Sequence, residues 1–199
     1  DGGTKLYPRF GYSVDMDGDL ACVAAVLENA VYIFQQVGDG WREVDKLLLD
    51  HRAYECLIAG KTLAVQPYDE INDIFGDLRL YRYDDVVDKF IDLQDPIPAN
   101  RFKVLSEDYL VVSRKTSASG DSFSDGVYIY NRQDEQDAFT LLQFLNSSDY
   151  DEMFGLFFAM DKDTLVVDGG FNVCMLFSSF PCFCFHSHAH ISFCICSEP

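Results

Sequence analysis

From Phe10 to Leu47 the chain alternates short apolar runs with turn residues. Phe10 to Met16 is mixed, Leu20 to Ala25 is almost wholly apolar, Val31 to Phe34 is aromatic and β-branched, and Trp41 to Leu47 alternates with charges. Runs of this length bounded by turn residues are strand signals. Asp17-Gly18 between the first two is a strong hairpin signal, because a type I′ turn needs φ > 0 at both central residues. The stretch therefore predicts a four-stranded antiparallel meander.

The same pattern returns three times. Leu20, Leu63, Leu110 and Leu165 open equivalent second runs, 43, 47 and 55 residues apart. The third runs, Val31-Tyr32-Ile33-Phe34, Leu78-Arg79-Leu80-Tyr81, Val127-Tyr128-Ile129-Tyr130 and Cys174-Met175-Leu176-Phe177, follow at spacings of 47, 49 and 47. Four strands per unit at such a period is the mark of propeller blades, each with two apolar faces that it cannot bury alone. The expected fold is all-β, a propeller-like array of about four four-stranded antiparallel blades that forms an open arc. The repeats fall at about 8–48, 52–94, 100–146 and 152–177, within a repeat region of 1–177. Leu20, Val23, Leu63, Val65, Leu110, Val112, Leu165 and Val167 are its expected core.

The first repeat reads Phe10-Gly11-x-Ser13-Val14-x-x-Asp17-Gly18-Asp19, then the apolar run, Val31-Tyr32-Ile33-Phe34, Gly40-Trp41 and Lys46-Leu47. This resembles an FG-GAP repeat, the blade of integrin α-chain-like β-propellers. Phe154-Gly155, after the acidic Asp149 to Glu152, is similar, and the second repeat has lost the Phe-Gly entry. The resemblance implies blades around a central axis in an extracellular or cell-surface protein that binds a protein or glycan and does not catalyse, with further blades outside this chain. It also raises Ca²⁺ binding, since some members hold the ion in a longer acidic loop between their first two strands. Here the equivalent turns hold only Asp15, Asp17 and Asp19, then Glu107-Asp108 and Asp161-Lys162-Asp163, with the alternation of Asp15, Asp17 and Asp19 the most suitable, and Ca²⁺ takes six to eight oxygen ligands. The ligand count favours a plain hairpin turn and no bound cofactor.

Composition narrows the partners. With 48% hydrophobic residues, 17 Phe and 11 Tyr, the chain can bury a core, and those rings are expected to pack between sheets. A net charge of -18 argues against nucleic acid, whose affinity for proteins comes mostly from Lys and Arg, and against anionic membrane surfaces. No apolar targeting segment is visible in Asp1 to Tyr7. From Gly169 to Ser197 no charged residue occurs. In this Cys/His/Phe-rich tail, 178–199, the residues Cys182, Cys184, His186, His188, His190, Cys194 and Cys196 all take even positions, which one extended strand would place on one face. Four readings fit it: a last strand, a membrane span, sequence foreign to the domain, or a zinc site, which lacks the usual ligand spacings.

Candidate binding positions lie in the long polar connection between the second and third strands of the third repeat: Lys115, Ser117, Ser119, Asp121, Ser122 and Asp125. Long loops sit at the surface and carry function. Asn146-Ser147-Ser148 is a glycosylation acceptor triplet. Cys22, Cys56 and Cys174 read as core thiols. The acids on fourth strands, Asp45 among them, read as a solvated outer edge. A glycosidase-like carboxylate pair near the axis is the alternative to a binding module.

Overall fold

The computed structural model describes residues 9–99, 101–114, 126–133, 138–146, 154–161, 164–169, 172–177, 183–185 and 193–195. The chain divides into two compact units. One comprises Asp1–Asn100, Leu105–Asp108 and Arg132–Ala138, and the other the remainder.

The first sheet is a simple meander of β1 (Phe10–Asp17), β2 (Leu20–Ala25), β3 (Ala30–Val37) and β4 (Gly40–Leu48). A 3₁₀ turn over Val26–Glu28 joins β2 to β3 and ends on Asn29 in the left-handed region, at φ 52°. The second sheet runs β5 (Arg52–Ala59), β6 (Thr62–Asp69), β8 (Arg79–Asp84) and β9 (Lys89–Asp92), with β7 (Ile74–Phe75) paired to the end of β6. The third is β10 (Arg101–Leu105), β11 (Tyr109–Arg114), β12 (Gly126–Gln133) and β13 (Ala138–Asn146). The fourth has three strands, β14 (Phe154–Asp161), β15 (Thr164–Gly169) and β16 (Asn172–Phe177). The chain is thus all-β and built of successive antiparallel blade-type sheets. Among the described residues no helix is long and apolar enough to cross a membrane.

The tail is not one extended strand where it is described. β17 (Phe183–Phe185) and β18 (Phe193–Ile195) pair antiparallel, with Cys184 opposite Cys194. Folding back lets each short strand satisfy backbone groups that a lone strand would leave open. Cys182, His186, His188, His190 and Cys196 lie outside the described residues.

Turn chemistry differs from the sequence reading by one residue. The register Asp17↔Leu20 makes Gly18 and Asp19 the central residues of the first hairpin, and of the two only Gly18 has positive φ, +58°. Gly60 does the same, at +53°, in the Gly60-Lys61 turn between β5 and β6. Glycine first with a negative-φ residue second is the type II′ pattern, not I′.

The Phe-Gly pairs Phe10-Gly11 and Phe154-Gly155 open their strands with the same irregularity. Between Phe10↔Ala25 and Val14↔Val23 three residues of β1 face one of β2, and the identical offset separates Phe154↔Gly169 from Phe158↔Val167. Gly11 has φ +84° there, a conformation costly for other residues. The second repeat, whose first strand has no Phe-Gly entry, has a smaller bulge: one extra residue between Ala53↔Pro67 and Glu55↔Gln66.

The second strands form the core, as their continuous apolar runs predict. All eight residues expected there are buried, Leu63, Val65, Leu110, Val112 and Val167 completely. In the first unit they join Cys22, Ala24, Val31, Ile33, Ala53, Cys56 and Ile58, and in the second Leu165 and Val167 pack with Val111, Val127 and Ile129. Among the described residues few rings are in the core: Tyr81, Phe90 and Phe139 are buried. The largest fully buried side chains are aliphatic apart from Gln66, and Phe10 and Tyr12 are exposed.

Leu63→Ala should therefore destabilise the fold by about 2–5 kcal/mol, while Leu48→Ala, at a position 72% exposed, should stay within about 0.5 kcal/mol. Urea unfolding of the two variants would measure this. Equal losses would place the core elsewhere.

Candidate functional site

The polar residues of β1 point not to solvent but to the next sheet. β5 is an edge strand, so alternate amides on its free side lack a ladder partner. Ser13, Asp15 and Asp17 supply acceptors for them. The Ser13 hydroxyl accepts from the Cys56 amide at 3.2 Å and donates to the Cys56 carbonyl at 3.3 Å. The Asp15 carboxylate accepts from the Ile58 amide at 2.9 Å, and that of Asp17 from the Gly60 amide at 2.6 Å. Each pair is 43 residues apart, the spacing of the repeat, so β1 and β5 lie side by side in parallel and in register.

The three acids weighed for Ca²⁺ are thus committed separately. Asp15 and Asp17 hold amides of β5, and Asp19 accepts from the Gln35 amide group at 3.1 Å. Among the described residues no group of three or more acids, histidines or cysteines is arranged to hold a metal. Asp17 and Asp19 do rim an open depression of about 400 Å³ with Gly60, Lys61, Asp85 and Glu107. Lys61 is paired to Asp85 there, and a Cβ on Gly60 would sit 2.7 Å from the Glu107 carboxylate. Nearby, the hydrogen bond from the Tyr83 phenol to Asp88 pushes its pKa up to about 12.

The outer strands repeat the device once. The Asp45 carboxylate accepts from the Phe90 amide of β9 at 2.9 Å, so this fourth-strand acid is a link between sheets and not part of a solvated edge. Between the inner strands, the fully buried thiols of Cys22 and Cys56 face each other. Burial first, and the Cys56 thiol second, push the Cys22 thiol far above its usual range.

At the other end of β1 and β5 lies a different surface. Arg9, Tyr12, Val26, Arg52, Tyr54, Tyr68, Asp73 and Phe75 enclose a depression of about 290 Å³. Tyr54 is its hub, with ring centroids 5.0 Å from Tyr12, 5.5 Å from Tyr68 and 5.0 Å from Phe75. The Tyr68 hydroxyl donates to Asp73, which raises the Tyr68 pKa, and a hydrogen bond with Tyr54, then burial, raises that of Tyr12. Arg52 is ion-paired to Glu70, whereas Arg9 has no ion pair or hydrogen bond among the described residues. The walls come from the starts of first strands and from the connections between second and third strands, Val26 in the first sheet and Asp73 and Phe75 in the second.

Sequence reading missed this group. Its signal was faint: an aromatic near the start of the first strand in two successive repeats, with Tyr54 one residue short of the 43-residue register because the bulges differ. The connection favoured from sequence is the equivalent one in the third repeat, but Lys115, Ser117, Ser119, Asp121, Ser122 and Asp125 lie outside the described residues.

No protein-family model matches the chain, and no curated protein matches it. Solved structures do. Sqt1 of Saccharomyces cerevisiae superposes with a TM-score of 0.55 at 8% identity, over 81% of this chain and 43% of that one. Kluyvelomyces marxianus Hsv2 aligns at 13% identity over 86% of this chain and 50% of its own, with a TM-score of 0.46. Sqt1 is a propeller of the WD40 kind, and the likeness to it shows a β-propeller-like fold. The chain spans less than half the length of Sqt1.

Asp15→Ala should cost about 1–3 kcal/mol, the penalty for orphaning the Ile58 amide, and Asp15→Asn less because it keeps an acceptor. Denaturant melts of the two would decide, and equal stability of wild type and Asp15→Ala would remove the strut. Millimolar Ca²⁺ should leave the wild-type melting temperature unchanged, since a ligand of the folded state would raise it. Cys22 and Cys56 should resist iodoacetamide in the native protein and react once it is unfolded, because the thiolate is the nucleophile and neither thiol is exposed. Native labelling of either, read by peptide mass, would contradict their burial.

Proposed function

We propose that this chain is a non-catalytic binding module of the FG-GAP, integrin α-like type. It takes a protein or glycan ligand on the face built from the second-to-third strand connections. The observation that carries the reading is the ring-lined depression at that end of the first unit. Its walls are two strand starts locked in register by the Ser13, Asp15 and Asp17 bonds, so the surface is preformed, which lowers the ordering cost of binding. The FG-GAP part rests on two Phe-Gly entries: Phe10-Gly11 and Phe154-Gly155 open strands with the same bulge, and the second repeat, whose first strand has no such entry, has a smaller one. An extracellular setting follows from that resemblance and from the acceptor triplet that starts at Asn146, the last residue of β13.

The immobilised chain should retain ligands from a panel of extracellular-matrix proteins and glycans. Replacing 115–125 by a short Gly-Ser linker should remove part of that set with the circular dichroism unchanged. Retention unaffected both by this replacement and by Tyr54→Leu would rule the face out.

A further inference from the structure

Resting on that reading, we infer that the depression around Tyr54 is a saccharide subsite for a single sugar ring that carries a carboxylate, of the uronic-acid class. Four properties converge on this chemistry. Its volume, about 290 Å³, is at the lower limit of ligand pockets and suits one ring rather than an extended molecule. Four aromatic rings, Tyr12, Tyr54, Tyr68 and Phe75, pack edge or tilted against one another around it, which offers ring faces and edges to the apolar C–H faces of a pyranose.

The third property is charge. In a chain of net charge -18, two guanidinium groups border this one depression, and of the two Arg9 has no ion pair or hydrogen bond among the described residues while Arg52 already pairs with Glu70. An arginine fork matches a carboxylate in a bidentate fashion and more strongly than it matches a neutral hydroxyl. The fourth is the polar rim. Asp73 takes the Tyr68 hydroxyl on one oxygen and has a second to accept a sugar hydroxyl, and the Tyr12 and Tyr54 phenols can donate or accept. An aromatic acid would meet the rings and Arg9 but bring no hydroxyls to this rim, and a neutral sugar would bring no carboxylate to Arg9. A sugar ring with a carboxylate uses all of them.

Saturation-transfer NMR and titration of the full chain with methyl β-glucuronide, methyl β-glucoside and benzoate test the assignment, since the first two probes differ only by carboxylate against hydroxymethyl. The glucuronide should saturate with a Kd about tenfold below that of the glucoside, the worth of one charge-assisted contact. Benzoate should bind more weakly than the glucuronide. Arg9→Gln should bring the glucuronide to the level of the glucoside, and Tyr54→Leu should weaken both sugars alike. Tyr12→Leu, at an exposed ring, serves if Tyr54→Leu lowers the melting temperature. Equal binding of the two sugars overturns the role of Arg9, and tighter benzoate overturns the sugar. Glucuronide binding untouched by every variant places the ligand elsewhere, and no binding of any probe overturns the subsite. If the panel above is still retained by the Tyr54-sensitive face in that last case, the binding-module reading survives the loss of this one.

Discussion

An edge strand must find partners for its outward amides, and in the first unit that requirement sets everything else. β5 pairs with β6 on one side only. Leaving the Cys56, Ile58 and Gly60 amides open in a seam between two sheets would cost on the order of 1–3 kcal/mol each. β1 meets the need with side chains instead of backbone, at every second residue, because alternate residues of a strand share a face. The spacing of 43 is then not only a sequence repeat but a physical register. It aligns the turn of Gly18 with that of Gly60, and at the opposite end it brings Tyr12 to 5.0 Å from Tyr54. A slip of the seam would cost its hydrogen bonds and disperse the ring cluster together.

That polar seam explains the distribution of apolar residues. In the buried cluster of these two sheets, Cys22, Ala24, Val31, Ala53, Cys56 and Ile58 are small or β-branched, beside the larger Leu20, Leu49, Leu63, Tyr81 and Phe90. Small side chains let β1 come close enough to β5 for a serine hydroxyl to reach a backbone amide. The described rings of the first unit divide between that cluster and the strand starts. Tyr81 and Phe90 lie within the buried cluster, and Phe10, Tyr12, Tyr54, Tyr68 and Phe75 gather at the strand starts. The rings at the strand starts are the aromatic surface that a ligand can reach.

The second strands were legible because a strand buried on both faces reads as a continuous apolar run, and the repeat then locates its equivalents. The hairpins were legible too, though a Gly in the first central position looks in sequence like the second residue of an Asp-Gly turn. The first strand was harder. Phe10 to Met16 looks mixed because its apolar residues Phe10, Tyr12, Val14 and Met16 are exposed, while Ser13 and Asp15 turn inward toward another strand's backbone. A polar residue that faces backbone has the same letter as one that faces water or metal, so the sequence showed Asp15 and Asp17 as parts of a turn and not as partners of another strand's amides. The ring-lined depression was invisible for a further reason: it joins two repeats and two connections, and a register that holds at Ser13 and Cys56 has slipped by one at Tyr12 and Tyr54.

The choice of aspartate in the seam also changes what the acidity means. A carboxylate only accepts, so it meets a row of N–H groups without bringing donors of its own, whereas an amide side chain would add an NH₂ to satisfy. The equivalent positions one repeat on are Cys56, Ile58 and Gly60, which carry no acceptor side chain of this kind. The device is therefore described between the first pair of sheets, and the second repeat does not carry its side chains. Asp45, holding the Phe90 amide, uses the same chemistry on the outer strands. Three carboxylates that could be counted toward a cation-binding surface are thus committed to neutral backbone dipoles. In so acidic a chain an arginine with no ion pair among the described residues stands out electrostatically. Arg9 sits at the first described residue before β1, against rings that the seam itself has aligned, so the interaction that closes the edge of β5 also builds the place where that charge can be used.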